Sequence, residues 1–320
     1  MNSSRRRFLA AAVATPIAAA LATRTMAADA AVAEPRFKKA VKFGMIQTEG
    51  SIRDKFELIK SLGFQGVEID SPSDIDREEA VAAQDDTGIR IHGVIDSIHW
   101  KERLSDPDPA VRARGLEGLK TAIGDAKLYG ASTVLLVPGA VRDPQNENFE
   151  QCWERSTAEV KKAIPWAEQA GTKIAIEVVW NDFITKPEQL VKYVDQFDSP
   201  TVGAYFDISN MIKYGVPPAD WIRALGKRML KFDFKGYSHE KKWVAIGEGD
   251  ENWPEVLKAL DEIGYRGWAT SEVKGGDEKH LKEVAERTEG RPANAIRVIM
   301  KRPDRASDDD MNDTRGGLAS

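Results

Sequence analysis

Between Val41 and Met300 the chain changes character eight times, from a short run of apolar and β-branched residues to a longer stretch with helical apolar periodicity. The strand candidates are 41–48 (VKFGMIQT), 66–70 (GVEID), 90–96 (RIHGVID), 133–138 (TVLLVP), 173–179 (KIAIEVV), 202–208 (VGAYFDI), 229–235 (MLKFDFK) and 267–273 (GWATSEV). Helical stretches between them include 54–63, 111–130, 152–171, 187–197 and 253–264, with a last one from 278 to 300. Strands that alternate with helices pair in parallel, because each helix carries the chain back across the sheet. Four of these helices run into Gly63, Gly130, Gly171 or Gly264, where a left-handed residue ends a helix. Eight such units close most simply as a (β/α)8 TIM barrel, an α/β fold of about 250 residues. No composition break divides 41–300, so a single domain is expected.

The residues outside that span read differently. Residues 1–28 hold the cluster Arg5, Arg6 and Arg7, an alanine-rich apolar stretch from Phe8 to Ala22, and small residues before Asp29. This is the layout of an export signal. Its SRRRFL run resembles a twin-arginine signal, with cleavage expected near Ala27 or Ala28 and a periplasmic destination. The alternative is a retained anchor, but the apolar stretch is short for a spanning helix, so no stable membrane insertion is expected once the signal is removed. Residues 29–40 are expected to link signal and barrel, and 301–320, acidic and rich in small residues, to form a disordered tail. Loss of the signal's four arginines takes the formal charge from −5 to −9. A chain that acidic lacks the basic face nucleic acid demands. Cys152 is the only cysteine, which excludes an internal disulfide and a thiolate zinc cluster, and its helical neighbours mark it as packed rather than nucleophilic. The oligomeric state, a homo-oligomer included, is left open.

Catalytic groups of such a barrel gather at the C-terminal ends of its strands, where the βα loops form the mouth. Glu177 falls near the end of the fifth strand, Asp207 at the end of the sixth, Asp233 on the seventh and Glu272 at the end of the eighth. Each sits in apolar sequence, where an ionised carboxylate is costly without a partner. Four acids on successive strands call for a cation, since like charges this close cannot all ionise without one. An all-oxygen set favours Mn²⁺ or Mg²⁺. The competing reading ties some of these acids to Lys231, Lys235 or Lys274 in ion pairs, and the alternation along KFDFK leaves the direction of Asp233 open.

Other candidates surround the acids. Glu68 and Asp70 end the second strand. His99 and Trp100 follow the third, an imidazole for a sugar hydroxyl beside an aromatic face for its C–H surface. His92, mid-strand, reads as a packed barrel residue. Lys235 is placed either to polarise a carbonyl or to pair with Glu272 or Asp207. Trp180 and Asn181 follow Glu177 into the same cavity, and the long loop 235–253 brings His239 and Glu248 over the mouth.

The succession of an IxIE strand, a DxxN turn after strand six, a polar strand-seven position followed by lysine, then GEG…W and a strand ending in SEV resembles the xylose isomerase-like sugar phosphate isomerase/epimerase superfamily, over about residues 41–300. In epimerases of that group a metal is held by Glu, Asp, His and Glu from strands five to eight, and the two glutamates also move the proton. Matched by motif, those roles fall on Glu177, Asp207, Asp233 and Glu272. Two positions depart from the pattern. The family's vHikD reads FDFKG, so Asp233 stands where the histidine ligand is usual, and DxxH reads Asp207-Ile208-Ser209-Asn210, so Asn210 replaces a histidine that contacts substrate.

The resemblance implies a metal-dependent sugar isomerase or epimerase that removes a proton next to a carbonyl and passes through an enediolate. Two alternatives stay open: a lyase or hydratase cleaving 3-keto-glycosides through the same enediolate, and a non-catalytic carbohydrate-binding barrel. In each case the partner is a small-molecule sugar, keto-sugar or glycoside, and no Gly-rich phosphate cradle demands a phosphorylated one. Four histidines and an acidic mature chain do not suit the superfamily's DNA-repair endonuclease branch.

Overall fold

The computed structural model describes residues 36–145 and 147–289. The expected export signal (1–28), most of the linker, the end of the last helix and the tail (301–320) lie outside the described residues. Within them, eight parallel strands close into a barrel: β1 (Lys38–Lys42), β2 (Gly66–Ser71), β3 (Arg90–Asp96), β4 (Thr133–Leu136), β5 (Lys173–Glu177), β6 (Val202–Asp207), β7 (Met229–Phe234) and β8 (Trp268–Ser271). Each strand pairs with its sequence neighbours, and β8 returns to β1 with Lys38 beside Trp268 and Val41 beside Ser271. Eight helices alternate with the strands: α1 (Ile52–Ser61), α2 (Arg77–Thr87), α3 (Pro109–Tyr129), α4 (Phe149–Ala170), α5 (Pro187–Asp195), α6 (Pro218–Leu225), α7 (Trp253–Glu262) and α8 (Glu278–Glu289). The fold is the single TIM barrel that the alternation predicts.

Local signals set the helix ends. Ser51 and Asp54 exchange hydrogen bonds as a capping box at the start of α1, and Asn148 and Gln151 do the same at α4. Gly63, Gly130, Gly171 and Gly264 all adopt positive φ, between 69° and 83°, as the helix-stop reading requires. No helix among the described residues is long and apolar enough to cross a membrane.

Several strand boundaries differ from expectation. β1 begins at Lys38, inside the expected linker, and gives way at Phe43–Met45 to a 3-10 turn instead of running to residue 48. The apolar Met45 and Ile46 that made 41–48 look like one strand are buried by a bridge to the loop after β8, where Gly276 N donates to Met45 O at 3.0 Å. Strands β4 to β8 also stop short of their expected ends, and the released residues become the loops at the mouth.

Alternation along β7 decides what faces inward. Phe232 and Phe234 point out between barrel and helices, Phe234 meeting Trp253 of α7 at 5.2 Å between ring centroids. Burying each such ring contributes roughly 1.5–3 kcal/mol. Lys231, Asp233 and Lys235 therefore face the interior. That interior is unusually polar for a TIM barrel, whose centre is ordinarily packed with Val, Ile and Leu. Lys42, Glu68, His92, Tyr205, Lys231, Asp233 and Thr270 are all buried there.

Candidate metal centre

Asp207 ends β6, and its Oδ1 accepts the backbone N–H groups of Ser209 and Asn210, both at 2.8 Å. That closes the DxxN turn and points the Asn210 amide back at Glu177, to whose Oε1 it donates at 3.3 Å. Glu177 ends β5, Asp233 lies on β7, and Glu272 directly follows β8, with its backbone N–H donating to Phe234 O at 2.9 Å. The four carboxylates converge, each offering one oxygen within 4.8 Å of the others. Oxygens sharing one hard cation at about 2.1–2.4 Å lie no more than about 4.2–4.8 Å apart, so the set fits such an ion with little movement.

Two lysines already reach into this cluster. Lys235 Nζ lies 2.8 Å from Asp207 Oδ2 and 3.0 Å from Glu272 Oε2. Lys42 Nζ lies 2.7 Å from Glu68 Oε2 and 3.1 Å from Asp233 Oδ2. The ion pairs weighed from sequence thus form for Lys235, while Lys42 is a partner that sequence reasoning missed. Their charge does not suffice. Burial, then the Glu272 charge, pushes the Glu177 carboxyl up to about 8. Asp207 and Asp233 are also raised, chiefly by burial, against the pull of Lys235 and Lys42 respectively. Glu272 alone goes down, to about 2: burial opposes this, but Lys42, Lys235 and a hydrogen bond from Asp233 outweigh it. Three acids held above their ordinary range mark a centre short of positive charge, which a divalent cation would supply. Asp207 Oδ2 and Asp233 Oδ2 are buried and, beyond their ion pairs with Lys235 and Lys42, have no hydrogen-bond partner of good geometry among the described residues. The donor set therefore suits a hard divalent ion.

The remaining candidates divide. Glu68, expected as a substrate contact, is instead 1% exposed in the barrel interior, where its Oε2 is filled by Lys42 and by the Tyr205 hydroxyl at 2.9 Å. Gly93 makes room for it, since a Cβ there would stand 2.3 Å from Glu68 Oε1. His99, Trp100, Trp180 and Asn181 line one cavity of about 230 Å³ beside β3 to β5. His99 accepts the Val137 N–H on Nδ1 at 3.3 Å, which leaves its buried Nε2 as a donor without a partner among the described residues. Trp180 Nε1 donates to Asn210 O at 2.6 Å, and Asn181 Nδ2 to Gly139 O at 2.6 Å. His239 and Glu248 line neither that cavity nor the larger one across the mouth. His239 Nδ1 sits 2.8 Å from Asp250 Oδ2, and Glu248 pairs with Arg287 at 2.7 Å.

Sequence reasoning also passed over Tyr205, whose hydroxyl lies 2.8 Å from Asp233 Oδ1, and Glu251, which accepts from Ser209 Oγ at 2.6 Å and Tyr237 N at 2.7 Å. The two-residue strand period was the available signal for Tyr205, which stands two positions before Asp207 and so on the same face of β6. His92 is the packed residue expected, stacked on Trp268 with ring centroids 4.3 Å apart. Cys152 is likewise packed, fully buried in α4.

A family model described as xylose isomerase-like TIM barrel matches residues 56–291. The chain belongs to that family. This xylose isomerase-like barrel is similar to an uncharacterised protein of Methanocaldococcus jannaschii, 29% identical over 185 residues that make up 53% of this chain. That stretch spans 62% of the relative, less than two thirds of its length. The barrel is also similar to the L-ribulose-5-phosphate 3-epimerase UlaE of Escherichia coli O1:K1, 27% identical over 226 residues, 67% of this chain and 79% of the relative. Among solved structures, the apo 3-keto-D-glucoside 4-epimerase YcjR of E. coli superposes with a TM-score of 0.68 at 17% identity, covering 78% of this chain and 97% of that one. At that identity the likeness is one of fold.

Proposed function

We propose that this chain is a metal-assisted sugar isomerase or epimerase that moves a proton next to a carbonyl. The observation that carries the reading is the convergence of Glu177, Asp207, Asp233 and Glu272 within 4.8 Å, with Glu177 raised and Glu272 lowered. Two carboxylates pushed apart in this way suit division into a proton-exchanging group and a group held ionised. When bound, a Mn²⁺ or Mg²⁺ ion held by these four residues would act as a Lewis acid toward the substrate carbonyl and a neighbouring hydroxyl. Glu177 takes and returns the carbon-bound proton, and Asn210 orients it from 3.3 Å. Glu272, held ionised by Lys42 and Lys235, is the second carboxylate of the reacting centre. Lys235 steadies the charge that develops on the substrate oxygen. The printed names of UlaE and YcjR describe epimerases, which favours this reaction class for a chain of their fold. The same reading takes the chain as an exported protein, on the strength of residues 1–28.

The test is elemental analysis joined to proton exchange. We expect about one Mn²⁺-like ion per chain, and deuterium incorporation from D₂O into a ketose or 3-keto-glucoside. Glu177→Gln and Glu272→Gln should each abolish exchange by about a hundredfold or more, the scale of a lost general acid–base group. Neither metal nor exchange in the reconstituted wild type would sink the reading and leave a carbohydrate-binding barrel.

A further inference from the structure

Across the mouth from His99, a cavity of about 600 Å³ opens directly from Lys235 and Glu272. It runs between the strap that follows β7 and the face of α8, and its far wall is made by Trp243, Val244, Ala245, Ile246, Val273 and Val284. Of the polar groups that also line the cavity, Lys274 and Glu283 are exposed, while His280 and Arg287 are already engaged. His280 Nε2 lies 2.8 Å from the Lys274 carbonyl, and Arg287 pairs with Glu248 and reaches Ile246 O at 3.3 Å. Trp243 is half exposed here, and its other face stacks on Trp180 at 4.9 Å and 17°. Trp243 thus lines this cavity and Trp180 the smaller one, and the stacked pair stands between them.

A free hexose carries a hydroxyl on almost every ring carbon, and each one buried without a partner costs about 1–3 kcal/mol. The side chains of Val244, Ala245, Ile246, Val273 and Val284 offer those hydroxyls no partner. That wall suits an apolar ring or chain attached to the sugar, laid against those side chains beside Trp243, over whose ring Lys235 Nζ lies 5.2 Å from the centroid. We infer that this cavity is an aglycone subsite, so that the substrate is a keto-glycoside with an apolar aglycone and not a free monosaccharide. The inference rests on the proposed function, because it takes Lys235 and Glu272 as the place where the sugar ring reacts. Since the cavity begins at those two residues, a sugar held at the carboxylates directs its substituent into this space.

The experiment compares phenyl β-D-glucopyranoside with methyl β-D-glucopyranoside by titration calorimetry on the full metal-loaded chain. We expect the phenyl glycoside to bind about tenfold or more tightly, as burial of an aromatic ring predicts. Ala245→Trp, which fills the cavity, and Val244→Asp, which charges its wall, should each reduce the phenyl glycoside to the methyl level while leaving metal content unchanged. Equal behaviour of the two glycosides, whether both bind or neither, overturns the inference, as does an unaltered phenyl preference in both variants. Deuterium exchange separates this result from the proposed reaction: exchange without aglycone preference removes the subsite alone, and aglycone preference without exchange removes the reaction alone.

Discussion

Asp96 and His99 lie three residues apart and respond to burial in opposite directions. Asp96, 1% exposed with one carboxylate oxygen unpartnered, is pushed by burial up to about 7. Between its ordinary value and that one the fold retains a proton the unfolded chain has released, so stability falls as pH rises across that window. Asp96→Asn should match the wild type near about pH 4 and exceed it near about pH 8, by on the order of 2–4 kcal/mol, read from melting temperatures across the pH range. His99 goes down to about 3, by burial first and then the Lys42 charge, and so stays neutral with its proton on Nε2. Its donor is therefore available at every working pH. His99→Phe should raise KM about tenfold or more without moving the acid limb of the pH profile, whereas His99→Gln, which keeps an N–H near the same place, should recover part of the loss. The four carboxylates were legible because the ends of barrel strands are where a mouth forms. Glu68 misled because the same strand-end argument cannot tell a side chain at the rim from one drawn inward by Lys42, and that lysine comes from a different strand.

At the scale of elements, the strap from Lys235 to Asn252 decides the shape of the mouth. Its short ribbon pairs Tyr237 with Trp243 and Ser238 with Lys242. Two residues of ribbon cannot stand alone, so the strap is held by side chains. Glu251 is the anchor, joining the strap's backbone at Tyr237 to Ser209 just past Asp207. Glu251→Ala strands a buried hydroxyl and a buried N–H, at a cost of about 1–3 kcal/mol each. Trypsin should then cut at Lys241 or Lys242 several times faster than in the wild type, while the capacity of the four-carboxylate cluster to bind added Mn²⁺ is unchanged. Unchanged cleavage would mean that the aromatic contacts of Trp243 suffice to seat the strap. None of this could be read from the GEGDE sequence, whose glycines announce a turn but say nothing of where its acid is bonded.

For the whole molecule, the polar barrel centre sets what the fold can tolerate. The charged groups there are stabilised by each other more than by packing, and the mouth above them remains short of positive charge. Adding a cation that binds only the folded state should therefore raise the melting temperature. At a hundredfold excess over its dissociation constant the gain is about 2.7 kcal/mol, or roughly 5–10 °C for a domain of this size. Calorimetry with Mn²⁺ should show that shift in the wild type and lose most of it in Asp207→Asn. The barrel itself was legible because helix and strand periods are local properties of the chain. The interior network was not, because Lys42, Glu68, Tyr205 and Asp233 are joined only by closure of the ring.

The stacked indoles of Trp180 and Trp243 carry a consequence of a different kind. Two such chromophores held face to face at 4.9 Å share their ultraviolet excitation, so their circular dichroism splits into a paired positive and negative band. One ring belongs to the loop after β5 and the other to the strap, so the splitting persists only while the strap is seated. The protein thus contains its own optical gauge of the mouth, and opening of the strap could be followed in real time without attaching any label.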